Sequence, residues 1–201
     1  MCSAYEVVCI QEGYSYEDES GNFKADGSIT LLKGKFKILV DTGAPRDKDT
    51  LIQALKTNGL QCEDIDYVIG THGHSDHIGN LNLFPQATFI VSFDICKGDV
   101  YIDHDFKSGE IYKIEEGVEV HPCPGHTCSD VCLYVENTQH GSLVVAGDLF
   151  ENGSDLKDDT IWKCVSRFPD LQTESRKRIL AKSPIAIIPG HGPLFFLKDA
   201  T

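Results

Sequence analysis

With 18 Lys+Arg against 31 Asp+Glu in 201 residues, the chain carries a net charge of −13, which opposes non-specific binding of nucleic acid and gives no expectation of a DNA partner. The length suits one domain, 1–201, with a core large enough to stand without disulfides, and no apolar stretch approaches the roughly 20 residues of a membrane-spanning helix. No basic, apolar leader is evident, so the eight cysteines are read as reduced thiols of a cytoplasmic protein, with a nuclear location also open.

In chain order, Tyr5–Gln11, Ile29–Leu32 and Phe36–Val40 are expected as strands, the last two joined by a short turn at Lys33-Gly34-Lys35. The acidic stretch Glu12–Asp26 between them is expected as a loop that could overhang a site. Asp41-Thr42-Gly43 ends the third strand, and Asp49 or Thr50 then opens a helix through Leu51, Ile52, Leu55 and Lys56, stopped by Asn58-Gly59. Asp66–Gly70 is a short β-favouring run. Ile78–Phe84 is a helix candidate closed by Pro85, and Thr88–Ser92, Val100–Ile102 and Ile111–Ile114 are further strands. Val118–His121, Val131–Val135, Leu143–Ala146 and Ile185–Ile188 continue the strand pattern, while Thr160–Phe168 and Thr173–Lys182 are the late helices. Two groups of strands with helices between them imply two sheets packed face to face under outer helices, an α+β arrangement.

Seven residues carry the chemistry. Four fall in six positions, as His72, His74, Asp76 and His77 in T-H-G-H-S-D-H-I-G. The others stand later, as His126 in P-G-H-T, Asp148 in A-G-D-L and His191 in P-G-H-G. Five imidazoles and two carboxylates form an N/O ligand set suited to two zinc-like ions. Such a cluster would be a poor buried structural device without metal, because every member needs its own partner. Each follows a β-favouring run broken by Gly or Pro, so four strands deliver candidates just past their carboxyl ends. Cys123, Cys128 and Cys132 bracket His126 at a spacing unsuited to a closed zinc site and are read as packing residues, with Cys128 a candidate for making the centre oxidation-sensitive. His104, His121 and His140 are read as ordinary surface or core residues.

The late basic residues Lys163, Arg167, Arg176, Lys177, Arg178 and Lys182 stand apart in this acidic chain. Lys163/Arg167 and Arg178/Lys182 have i,i+4 spacing, so each pair is expected to share a helix face. One reading is solvated surface; the other is an anion-binding substrate rim centred on Arg176, Lys177 and Arg178.

The H-x-H-x-D-H run, with D-T-G at Asp41, A-G-D-L-F at Ala146 and I-P-G-H-G-P at Ile188, resembles the metallo-β-lactamase superfamily. That resemblance covers most of the chain and implies an αββα sandwich with metals at one edge between the sheets. It further implies one metal on His72, His74 and His126, a second on Asp76, His77 and His191, and Asp148 as the bridge. Two divalent ions, zinc first with iron or manganese as alternatives, would share a water and bring its pKa towards neutrality, with Asp76 orienting it. Asp41 resembles the family's supporting carboxylate, able to fix an imidazole; as a residue it reads equally as a plain turn. One branch of the family implies endoribonucleolytic hydrolysis of a phosphodiester in histone pre-mRNA, so RNA is the expected partner. Thioester or small-ester hydrolysis of the glyoxalase II type is the alternative, although the ten residues after His191 leave no room for the helical glutathione-binding region of those relatives. A mononuclear iron sulfur dioxygenase and a non-catalytic metal-bearing binder complete the alternatives. Self-association as a homodimer stays open.

Overall fold

The computed structural model describes residues 4–197. Fifteen strands and three helices run in the order β1 (Glu6–Gln11), β2 (Tyr14–Glu17), β3 (Phe23–Asp26), β4 (Ile29–Lys33), β5 (Lys37–Val40), α1 (Lys48–Thr57), β6 (Tyr67–Gly70), β7 (Thr88–Val91), β8 (Asp94–Lys97), β9 (Val100–Ile102), β10 (Tyr112–Glu115), β11 (Val118–Pro122), β12 (Val131–Thr138), β13 (Gly141–Gly147), α2 (Thr160–Lys163), α3 (Pro169–Ala181), β14 (Ala186–Pro189) and β15 (Phe195–Phe196). A seven-stranded sheet has the order β1-β4-β5-β6-β7-β8-β9, and a six-stranded sheet runs from β10 to β15 in sequence order.

The apolar runs are continuous because both faces of each central strand are covered. Within them the side chains still alternate. Ile38 and Val40 face inward, with Ile69, Ile90, Val120, Leu133, Val145 and Ile188, to build the core between the sheets. Leu39 and Val68 face outward, under Leu51 and Leu55 of α1. On the other sheet Val144 and Ile187 point out towards Ile179 of α3. The four layers are therefore helix, sheet, sheet, helix. This is an α+β sandwich of the αββα type.

Topology gathers the strand ends. β5, β6 and β7 are parallel neighbours, as are β13 and β14, and α1 and α3 lie in the crossovers between parallel partners. Parallel strands release their loops at the same edge, where ligands of α/β sheets bind. The two edges are tied together where Val131 N, at the start of β12, donates to Thr71 O, just past β6, at 2.9 Å.

Three expected elements differ from the structure. The stretch Glu12–Asp26 is not a plain loop but contains the β2–β3 hairpin, closed where Asp18 Oδ1 accepts from Ser20 N and Asn22 N. The segment Ile78–Phe84 forms only a 3-10 turn over Leu81–Leu83. Its backbone is used elsewhere: Gly79 N donates to Gly43 O and Asn80 N to Thr42 Oγ1, while the Asn80 side-chain amide donates to Thr42 O and Ala44 O. The helix expected over Thr160–Phe168 stops at Lys163, because Arg167 N and Phe168 N turn back to donate to His126 O and Gly125 O. Lys163 and Arg167 thus share no helix face. Strands β8 and β15 are additions that the sequence pattern did not indicate.

Candidate metal centre

The loop after β6 opens with Thr71 and His72 and carries His74, Asp76 and His77. The loop after β11 carries His126, the end of β13 carries Asp148, and the end of β14 carries His191. Two glycines make this convergence sterically feasible. Gly147 takes φ +52, a left-handed conformation that L side chains rarely adopt. A Cβ on Gly190 would collide with Asp148 Oδ1.

All seven sequence-derived candidates meet in one cluster. One group comprises His72, His74, His126 and Asp148, and a second comprises Asp76, His77 and His191, the donor atoms of each lying within 4.8 Å of one another. In the first group His72 Nε2 lies 2.9 Å from His74 Nδ1, which lies 3.1 Å from His126 Nε2. Asp148 Oδ2 is 3.5 Å from His72 Nε2 and 3.1 Å from His126 Nε2. In the second, Asp76 Oδ2 is 3.9 Å from His77 Nε2 and 4.0 Å from His191 Nε2. Asp148 joins the groups, with Oδ1 3.2 Å from His77 Nε2 and Oδ2 3.3 Å from His191 Nε2.

The imidazoles are aimed by hydrogen bonds on their far sides. His77 Nδ1 donates to Asp41 Oδ2 at 2.7 Å. Thr71 Oγ1 donates to the same oxygen at 2.9 Å and lies 3.2 Å from His72 Nδ1, from which it accepts. One carboxylate therefore fixes the tautomers of two histidines and leaves both Nε2 atoms facing inward. Asp41 is also a turn residue, at φ +59, and its Oδ1 takes the Thr71 N–H at 2.7 Å. Asp41 thus both turns the chain and contacts His77. His191 Nδ1 donates to the backbone oxygen of Asp26 at 3.0 Å.

The donor set fits divalent cations. A tetrahedral ion with bonds of about 2.0–2.1 Å has ligand–ligand edges of about 3.4 Å, and the first group's spacings of 2.9 to 3.5 Å bracket that value. Burial lowers the pKa of His72 and His126, so both are neutral, the form a metal requires. Burial, the largest single effect, would lower His77 and His191 too, but nearby acids together outweigh it: Asp148 and Asp41 raise His77 well above its ordinary value, and Asp148 with Glu151 raises His191 to about 9. Those protons balance a carboxylate that a cation would otherwise balance. His77 Nε2 and Asp148 Oδ1, buried and 3.2 Å apart, face each other without hydrogen-bond geometry, an arrangement that an ion between them would complete.

Sequence reasoning missed Glu151. It is 3% exposed and lies with Asp148 and His191 in a third compact donor group; burial first, then the charge of Asp148, pushes its pKa up to about 9. Its signal was a carboxylate three residues beyond Asp148 in an apolar run. Cys123 and Cys132 are buried and Cys128 is exposed.

The basic triplet does not form one rim. Lys177 and Arg178 are exposed, Lys177 pairing with Glu174 and Arg178 donating to Pro122 O and Ser175 Oγ. Arg176 is a correction, being only 7% exposed. Its guanidinium pairs with buried Asp155 at 3.2 Å, donates to Leu149 O at 2.8 Å and packs over Phe150 and Trp162. A side chain sandwiched between two aromatic rings beneath α3 is part of the core and is closed to substrate.

A family model described as the metallo-beta-lactamase superfamily matches residues 25–95. The chain belongs to this superfamily, and is a metal-dependent hydrolase. Within it, the chain is similar to proteins named metallo-beta-lactamase domain-containing protein 1, at 46% identity for the one from Xenopus laevis (96% of this chain, 82% of that protein) and 38% for that of Homo sapiens (98% and 84%). The fold is also that of an N-acyl homoserine lactone hydrolase solved with its product N-hexanoyl-L-homoserine at the catalytic metal center, with TM-score 0.71, 20% identity, and coverage of 95% of this chain and 94% of that one. Among the described residues no helix is long and apolar enough to cross a membrane.

Proposed function

We propose that the protein is a dinuclear hydrolase that cuts a phosphodiester in RNA, as an endoribonuclease of the histone pre-mRNA type. The observation that carries the hydrolase is the shared position of Asp148 between two groups of inward-facing donors. Two divalent ions there, zinc by its preference for this ligand set, would polarise the bond under attack and lower the pKa of the attacking water. His72, His74 and His126 would hold one and Asp76, His77 and His191 the other, with Asp148 common to both.

The protein's own groups divide the remaining work. Asp41 orients His72, through Thr71, and His77 directly. Asp148, with only 3% of its side chain exposed, is sealed in, whereas the Asp76 side chain is 21% exposed. The Asp76 side chain therefore stands towards the open side of the cluster, where it would orient the attacking water.

Support for a nucleic-acid strand comes from the β2–β3 hairpin. It is anchored at its base to the centre, as Ser28 N donates to Gly190 O at 2.8 Å and Asp26 O receives His191. The hairpin presents exposed Tyr14, Tyr16 and Phe23, rings on which bases can stack regardless of sequence. Arg178, without an ion pair among the described residues, adds a cation near the His126 loop. The second reading is a small ester, thioester or lactone, which the net charge of −13 favours because such a substrate brings no phosphates to be neutralised.

The two readings separate on Lys177 and Arg178. Reversing both to Glu should weaken RNA cleavage and flatten its salt dependence, by about 0.7 in log–log slope for each single-strand phosphate that is no longer neutralised. Hydrolysis of an uncharged thioester or lactone should be unchanged, because neither side chain touches the cluster. No RNA cleavage by the wild type at low salt, alongside turnover of the small ester, would replace the first reading with the second.

A further inference from the structure

Four histidines of the cluster turn Nε2 inward, and three of them have a partner for Nδ1. His72 has Thr71, His77 has Asp41, and His191 has the Asp26 carbonyl. His126 is the exception. Its Nδ1 is buried with no hydrogen-bond partner, and so is Glu151 Oε1. These two atoms face each other at 3.8 Å, with their side chains 6% and 5% exposed.

We infer that Glu151 is the positioning residue for His126, accepting its Nδ1–H and so aiming Nε2 at the first metal position. This deepens the two-ion reading and rests on it. Binding through Nε2 places the ring hydrogen on Nδ1, where an acceptor is then required. The closing motion is small, because an N–H···O bond is about 2.7–3.2 Å long, at most roughly 1 Å shorter than the present gap of 3.8 Å. The Glu151 backbone is already fixed on both sides: its N–H donates to Asp155 Oδ2 at 2.8 Å and its carbonyl accepts from His191 N at 2.8 Å. Rotation of the side chain or a tilt of the imidazole is enough. The same backbone links the pair to α3, since Asp155 is the partner of Arg176. A buried carboxylate with an unmatched oxygen costs stability, and completing the His126 hydrogen bond offsets that cost in the loaded protein.

Stepwise zinc binding to the full-length protein, measured by competition with a chelator, tests this. Glu151→Met should weaken one of the two sites 10- to 100-fold, the usual effect of removing a partner behind a ligand histidine. Glu151→Gln should fall between, because its amide oxygen still accepts from Nδ1–H. In a His126→Gln background, Glu151→Met should weaken binding no further. The metal-free Glu151→Met protein should melt no lower than the wild type, which excludes a folding defect as the cause. In the wild type, nitrogen NMR of labelled histidine should show zinc converting His126 Nδ1 to a proton-bearing, hydrogen-bonded nitrogen. Two ions in the wild type with unchanged affinity in Glu151→Met overturns the assignment of Glu151 alone. An equal loss in the His126→Gln background overturns it in favour of direct ligation by Glu151. Failure of the wild type to bind two ions overturns the underlying reading together with it.

Discussion

Replacing Asp76 by Asn is expected to lower turnover a hundredfold or more while leaving most of the metal in place. The amide oxygen keeps the shape of a ligand, and the neighbouring donors are unchanged, with His77 Nε2 and His191 Nε2 at 3.9 and 4.0 Å. What disappears is the negative charge on the open side of the cluster. In the proposed mechanism Asp76 acts on a developing charge, so its loss should fall on the chemical step, where single groups of this kind are worth about 2.7–4 kcal/mol. Steady-state kinetics with metal analysis of the same sample checks this. Unchanged turnover at full metal load removes Asp76 from the mechanism, and parallel loss of metal and turnover makes it a ligand only.

Arg176→Met is expected to cost stability rather than substrate binding, by about 3–5 kcal/mol, as when one partner of a buried ion pair is removed. The remaining Asp155 carboxylate has no exposed side-chain surface. Burial raises its pKa even against the pull of Arg176. Without the guanidinium, the folded protein should hold a proton on Asp155 that the unfolded chain releases. The folded pKa of the variant then lies above the unfolded one, so its stability falls as pH rises. Denaturant unfolding at pH 5 and pH 8 should therefore show a larger deficit at pH 8. A variant as stable as the wild type but defective on RNA alone would restore Arg176 to a substrate rim.

The contrast between Arg176 and the histidines shows what the sequence could convey. The ligand run was legible because six consecutive positions hold four donors that have no use in one loop without a metal. The single residues His126, Asp148 and His191 were legible because each follows an apolar strand at a glycine. Sheet layers followed from runs such as Ile38-Leu39-Val40, whose alternate side chains serve different cores. Arg176 was misread because charge and helical spacing do not reveal which helix face is covered; its burial depends on Phe150, Trp162 and Asp155, all distant in the pattern. The expected helix at Ile78 is replaced by a 3-10 turn, and the one at Thr160 is cut short at Lys163, for a related reason. Their amides bond across the molecule to the Asp41 and His126 loops, and no local propensity encodes those partners. Glu151 was hidden because the role proposed for it depends on the unpartnered nitrogen of a histidine 25 residues earlier.

One carboxylate, Asp148, is proposed to hold two metal positions together. Metal quantification on protein purified without added metal, with the Asp148→Ala variant alongside, tests this most directly. About two divalent transition-metal ions per chain are expected in active wild type, with loss of both in the variant, since Asp148 faces His72, His126, His77 and His191 alike. A reproducible value of one ion per chain in a fully active preparation, iron above all, would contradict it.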